Sequence, residues 1–565
     1  MKPKGPLVLI ALIFVFMNNY AIADTTVPEQ FVNPTPPNSS ALNGVWFNDD
    51  INLTRIPTSL YSVNPQTGEA IAFCKGLSDS TCANSLQFNF NALLPPCASI
   101  KDVDCIENLY AINPSSPEKI YAVIKKMIPL SVERGYEADP KNGLPQGANS
   151  YIWAIPGVNH AGGINQYTLV VTRSGSITKN TDGKFSSTFG SFRAAIFPIT
   201  EMTNSAYRSN IPVISLNRFT ISHPSQTEFR GCAVVGDSEC ALRQGFPPKT
   251  QFGVDIRLSA KLTGWLHGRI DQPIFDYKLT DYGTHLEIQG FPFIVPSVAG
   301  WINQNTLTSA QRDLFTQSNQ AGLGGETNPL PTGTYSMNSL TMWLDLLGNK
   351  AAAMPSEWVF HTLDDAELRS ASPCISSSQN LAGFVTTNAT TYLAGAPVFN
   401  KSDQSLDYQV AAPHFSQDGS VFQGSYDLYL ASQVARCIYG FSSAPIKATI
   451  SVVDGSGGNQ VATTVISQSD GWLHMAAKGF TFSSPNVKVR LSQDVIPVAI
   501  TPSPAPTIPS IPTPSATTTV AASPSPTVTT KITPTPKISA ITCMKGKVKK
   551  IVFGMKCPSG YKQGK

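Results

Sequence analysis

The chain has 565 residues, a formal net charge of +4, and only 14% Asp, Glu, Lys and Arg, against about 25% in ordinary soluble domains. That length excludes one small domain and suggests two to four, while the low charge, made up by Ser, Thr, Asn, Gly and Pro, favours turn-rich β structure over surface-charged helices. Seven lysines and no acid fall in the last 25 residues, leaving 34 basic against 37 acidic residues elsewhere, which excludes a folded basic surface for nucleic acid.

At the start, Lys2 and Lys4 precede an apolar run of twelve residues, Pro6 to Met17, and Ala21-Ile22-Ala23 supplies small residues where a signal peptidase reads. The run is too short to span a bilayer. The pattern is that of a secretory signal peptide over 1–23, followed by a polar leader over 24–40 with no packed core. No later stretch has eighteen apolar residues in a row, so no transmembrane segment is expected after signal cleavage, and the location is expected to be secreted or cell-surface.

Residues 41–370 are read as a β-rich body, either one domain or two split near 225. Phe252, Val254, Ile256 and Leu258 alternate, as do Leu286 and Ile288, and the runs YTLVV (167–171) and FRAAIF (192–197) are bounded by turn-forming residues. Such patterns argue for antiparallel sheet. Helices are expected to be few and short. Thr308 to Gln311 has the form of a capping box opening a segment through Phe315. Leu340, Trp343, Leu344 and Leu347 make a helical stripe stopped by Gly348, a stripe that ordinarily packs inward.

The ten cysteines are Cys74, Cys82, Cys97, Cys105, Cys232, Cys240, Cys374, Cys437, Cys543 and Cys557. An even number in an oxidising compartment reads as five disulfides. CKGLSDSTC, CASIKDVDC and CAVVGDSEC share the spacing C-x4-D-x2-C and should each close on themselves, with Asp79, Asp102 and Asp237 bonding nearby backbone to fix the turn. Chain entropy gives about 2.6 kcal/mol for each such ring and about 4 kcal/mol for Cys374–Cys437. Zinc or redox chemistry would want C-x2-C, which is absent, and a calcium loop needs more oxygen ligands than Asp102 and Asp104 provide. No metal or other cofactor is expected.

Residues 371–494 read as a β-sandwich-like module, and an ordered set of signatures links it to the body. Cys240, strand 252–258, GWLH (264–267) and GFPFIVPSV (290–298) recur as Cys437, KATISVV (447–453), GWLH (471–474) and GFTFSSPNV (479–487), suggesting two related modules. Eleven of the residues 497–540 are Pro. The segment 495–540 is therefore read as a disordered, extended Pro/Thr/Ser-rich linker. The tail 541–565 is a hairpin-sized piece needing its Cys543–Cys557 staple. The fold class expected overall is mainly β: antiparallel β-sandwich-like modules braced by local disulfides, with a small C-terminal hairpin.

The tail pattern I-T-C-x-K-G-K … C-P-x-G-Y-K behind such a linker resembles short tails of secreted actinobacterial proteins. The stretch 426–491, with RCIYGF, DGWLH and GFTFSSP, resembles a module found in proteins of the same kind. The resemblance covers the last quarter of the chain and implies a secreted bacterial context. It supplies no catalytic residues.

Motifs of catalysis are missing: there is no H-E-x-x-H, G-x-S-x-G, G-x-x-x-x-G-K-[ST] or D-x-D-x-D-G, and LPTG (330–333) is an incomplete sortase signal. His160, His223, His267, His285, His361, His414 and His474 form no i, i+4 pair. His267 and His474, in the two GWLH copies, read as structural, and Trp265 and Trp472 as core anchors. Two functions remain. The first is a non-catalytic secreted or envelope-associated protein whose tail, through Lys545, Lys547, Lys549, Lys550, Lys556, Lys562 and Lys565, holds anionic cell-wall polymers or polysaccharide. The second is an extracellular polysaccharide hydrolase using acids among Asp255, Asp271, Asp276 and Glu287, which would have to face each other across a cleft.

Overall fold

The alternation at Phe252, Val254, Ile256 and Leu258 becomes the strand Gln251–Leu258, with all four side chains fully buried. It belongs to a computed structural model that describes residues 42–47, 58–114, 116–128, 135–203, 214–215, 218–219, 232–235, 239–317, 326–327, 333–363, 365–368, 371–393, 395–443, 446–453, 459–460, 463–482, 486–493, 540–545, 548–553 and 562–563. Residues 1–40, most of the linker, Asp237, Lys547, Lys556, Cys557 and Lys565 lie outside the described residues. The chain forms two compact units, Met1–Ile496 and Pro497–Lys565.

The first unit is mainly β, built on one long sheet. Its strands run in the order Ala70–Phe73, Ser59–Val63, Gln87–Leu93, Gln166–Lys179, Phe185–Thr203 and Ser356–Thr362. The order continues with the first half of Gly264–Thr280, then Leu381–Thr387, Gln423–Ala431, Trp472–Thr481 and Thr463–Ser469. Every pairing along this path is antiparallel except Gly264–Thr280 with Leu381–Thr387, which is parallel. Residues on both sides of position 370 therefore share one sheet.

Two smaller sheets cover the long one on opposite faces. The second sheet takes Lys119–Tyr121, Cys105–Ile112, Gln251–Leu258, Gly283–Ile294 and the far half of Gly264–Thr280. Its Val254, Ile256 and Ile288 meet Phe88, Phe90, Val171, Ile196 and Phe360 of the long sheet. The third sheet holds Ser405–Ala411, Asn486–Gln493 and Ile446–Val453, and its Tyr408, Val410, Val487 and Val489 meet Val385, Leu428 and Met475. Because side chains alternate along a strand, Gly264–Thr280 sends Leu266 and Ile270 to the first core and Trp265 to the second. Cover on both faces also explains FRAAIF: Phe192, Ala194 and Ile196 join the core under the second sheet, Ala195, Phe197 and Ile199 pack with Ala233, Val234 and Ala241 on the other face, and Phe192 to Ile199 is buried without a break, as a strand between two layers requires.

Among the described residues four disulfides form, Cys74–Cys82, Cys97–Cys105, Cys232–Cys240 and Cys374–Cys437, with Cα separations of 5.8, 5.0, 5.4 and 5.8 Å; the expected Cys543–Cys557 pair lies outside them, since Cys557 is not described. In the first two rings the aspartate does the bracing expected of it, with a difference in detail. Asp79 accepts from the Thr81 N–H two residues on and the Lys75 N–H four back, at 3.0 and 2.7 Å. Asp102 reaches only backward, accepting from the Ala98 and Ser99 N–H groups at 2.7 Å each. The shared element is the bond to the residue after the first cysteine. The fourth disulfide ties Pro373–Ser376 to the helix Ser432–Tyr439.

The two expected helices are Ser309–Gln317 and Thr334–Leu347. Thr308 and Gln311 make the reciprocal capping bonds, Gln311 N–H to Thr308 Oγ1 at 3.3 Å and Thr308 N–H to Gln311 Oε1 at 2.8 Å. Leu340, Trp343 and Leu344 pack on Val45, Phe47 and Val298, and Gly348 ends the helix at φ 80°, a left-handed conformation suited to glycine. In the second unit, Ala540–Lys545 pairs antiparallel with Val548–Phe553 and also with Lys562–Gln563, so the tail adds a third strand to its hairpin.

Candidate functional site: a charged ladder on the second sheet

Three of the four nominated acids come together, and one does not. Val254 and Ile256 point inward, so Asp255 points out. Register places Asp255 directly opposite Glu287, and Glu287 directly opposite Asp276, in one row across three strands. The next row is basic: Arg257 lies opposite His285, and His285 opposite Lys278. Asp271 is carried away by the register shift between Asp271 and Ile274, where Gln272 takes φ 53°. It pairs instead with Lys478 at 2.5 Å.

Each carboxylate in the row has intramolecular partners. Glu287 Oε1 accepts from the Tyr110 hydroxyl at 2.6 Å and from Lys119 Nζ at 2.5 Å. Burial opposes ionisation of Glu287, but these two donors outweigh it and keep the carboxyl below its ordinary value. Burial and the Glu287 hydrogen bond push the Tyr110 phenol up, so it stays a donor. Lys119 also lies over the Tyr110 ring, 4.3 Å from its centre. That ring in turn lies against Gly253, where a Cβ would come within 2.3 Å of it. Asp255 is nearly buried and accepts from Asn108 Nδ2 at 3.1 Å; burial raises its carboxyl, and the neighbouring Glu287 adds to the effect. Asp276 pairs with the exposed Lys278.

The basic row ties the sheet to a disulfide ring. Arg257 donates Nε and Nη2 to the two oxygens of Glu107 at 2.8 and 2.6 Å, the bidentate fork of an Arg–carboxylate pair. Its Nη1 donates to the carbonyls of Ser99, Ile100 and Asp102 at 3.2, 2.7 and 3.3 Å. His285 Nε2 stands 3.5 Å from Glu107 Oε2 and 3.9 Å from Asp255 Oδ1. Beyond Tyr110, Gln289 and Gln251 bond to each other at 2.7 Å and border an open groove of about 550 Å³ lined also by Asn113, Pro114, Lys249 and Phe291.

Chemically this is a network of ion pairs on a sheet face. The acids stand side by side in one row, whereas glycoside hydrolysis needs two carboxyls flanking the scissile bond. Among the described residues no group of three or more His, Cys, Asp or Glu side chains is arranged to hold a metal ion. The tail lysines Lys545, Lys549, Lys550 and Lys562 fall in strands of the second unit, and Cys543 lies in the first of those strands.

The two GWLH histidines have different surroundings. His267 is buried and stacked on Tyr392 at 3.7 Å. His474 is partly exposed, stacked on Tyr429 at 4.2 Å, with Nε2 2.9 Å from Asp427 Oδ1. Tyr110, Lys119, Arg257 and His285 were missed from sequence. Arg257 and His285 did occupy the polar places of alternating strands, but only register reveals that they meet. No protein-family model matches the chain, and no curated protein matches it.

Proposed function

We propose that the protein is a secreted or envelope-associated, non-catalytic binding protein whose lysine-rich tail holds an anionic cell-wall polymer, in an actinobacterial type of cell surface. The observation that carries the secreted part is that no cysteine among the described residues is free, as expected of a chain matured in an oxidising compartment. No helix among the described residues is long and apolar enough to cross a membrane. Supporting the non-catalytic part, the acid row is spent on internal partners: Glu287 on Lys119 and Tyr110, and Asp276 on Lys278. The reading includes a duplication behind the two GWLH strands, supported by their lying in one sheet and running in the same direction.

Deleting 541–565 tests the tail. The shortened protein should appear in the medium rather than on the envelope, and raised salt should release the full chain, because attraction between exposed charges is screened within about 10 Å at 0.1 M salt. Unchanged retention after the deletion would end this assignment.

A further inference from the structure

The long sheet is covered on both faces only in part. On the face where Val170, Ala195 and Phe197 pack against Ala233, Val234 and Ala241, the cover stops, and the same strands continue outward with another chemistry. Tyr61, Asn89, Ser176 and Thr188 are successive register partners across four strands. Asn91 and Ser174 pair in the row beside them. Tyr61, Asn89 and Ser176 are half-buried and Thr188 is exposed. The strands enclose a depression of about 290 Å³ above Gly175 and Gly190. At Gly190 a Cβ would meet Ser174 Oγ at 2.9 Å, so a larger residue would crowd this surface.

No residue lining the depression is charged, in contrast to the ladder of acids and bases on the second sheet. Every polar group in the row is a neutral hydroxyl or amide, each able to donate and to accept. Tyr61 is fixed at both ends: its ring packs edge-on against Phe73 at 6.4 Å, and its side chain hydrogen-bonds Asn89. A pre-set aromatic ring beside amides and hydroxyls matches the apolar C–H face and equatorial hydroxyls of a sugar ring. The depression is at the small end of ligand sites, which span about 300–1,000 Å³. An anionic ligand would find no counter-charge here and would lose its hydration. A neutral one loses only hydrogen bonds that the row can replace.

We propose that this face binds a neutral glycan, with one sugar ring in the depression beside Tyr61 and its neighbours along the Asn89–Ser176–Thr188 row. The residues of this row belong to the first unit and include none of the tail lysines. The test is calorimetric titration of the full chain, and of the chain lacking 541–565, with cellohexaose, maltohexaose and mannohexaose as probes. At least one probe should bind both proteins equally, with no dependence on salt. Gly190→Val and Thr188→Lys should each weaken that binding about tenfold or more, equivalent to about 1.4 kcal/mol, whereas Asp276→Ala on the second sheet should leave it unchanged. Thr188 is exposed, so Thr188→Lys should keep the parent unfolding temperature and remains informative if Gly190→Val does not fold. Absence of binding by all three probes, binding that survives Thr188→Lys, or binding lost with the tail or with salt would each overturn the proposal.

Discussion

Trp265 and Trp472 follow the same residue, glycine, and precede the same pair, Leu-His, yet the first is sealed inside and the second is only partly buried. Both lie in strands of the long sheet that run the same way, with two strands between them. The first copy has strands on both sides, Ser356–Thr362 and Leu381–Thr387, and a core on each face. The second pairs on one side with Thr463–Ser469, whose Val465 and Ile466 are exposed. Trp472 rests edge-on against Phe275 and Tyr277, while Trp265 lies against the backbone of Gly383, where a Cβ would come within 2.3 Å of the indole. Register lines Trp265 up with Leu473, not with Trp472, so the two indoles face opposite sides of the sheet: identical local sequence sets the alternation, and the strand pairing sets which face it meets and how much of it is buried.

The largest expected effect contrasts the two tryptophans. Trp265→Ala should lower stability by about 3–5 kcal/mol through the cavity it leaves. Trp472→Ala should cost no more than about 2 kcal/mol, because less apolar surface leaves water there. Urea unfolding of the full chain measures both, and equal losses would break the comparison. Next, Gly383→Ala should destabilise by about 1–3 kcal/mol through overpacking against the indole. Combining it with Trp265→Phe, which makes room, should give less than the sum of the single losses; an additive result would mean that the contact with Gly383 is unimportant.

The smallest effect is a pH dependence. Burial, with the charge of Arg269 adding to it, holds His267 neutral and places its pKa well below the ordinary value. The unfolded chain then binds more protons than the folded one below about pH 6.5, so stability contributed by the neutral imidazole is full above that value and declines as the pH falls. His160, pushed down by burial to about 4, acts in the same direction. His267→Phe should therefore flatten the acid limb of a stability–pH curve without abolishing it. An unchanged limb, measured as the urea midpoint at successive pH values, would show that His267 protonates freely in the folded protein.

Much of the fold was legible because its signals are local. A capping box needs only Thr308 and Gln311, a helix stripe only Leu340, Trp343 and Leu344, and a nine-residue ring only its own two cysteines and an aspartate. The candidate site was half legible. Asp255 and Glu287 were nominated only as acids, although alternation does put them on the outward face, since Val254, Ile256, Leu286 and Ile288 must turn in. That these two acids and Asp276 form one row depends on register between strands, and a slip of one residue would have moved them to opposite faces. Asp271 was nominated with the others and lost to a kink at Gln272 that no periodicity announces. The neutral row around Ser176 carried no signal at all, because Ser, Thr and Asn in a strand look like ordinary solvent-facing residues until four strands align them.

By itself, then, the sequence determined the strand and helix periods, the local disulfide rings and the abrupt change of composition at the linker, all of which arise from residues within a few positions of one another. Tertiary structure alone decided that both GWLH strands share one sheet, that its middle is buried on two faces, and which outward rows are charged and which are neutral. Those outcomes depend on pairings between residues far apart in the chain, such as Tyr110 with Glu287, 177 positions away, and side-chain alternation has no information about which strand will lie alongside.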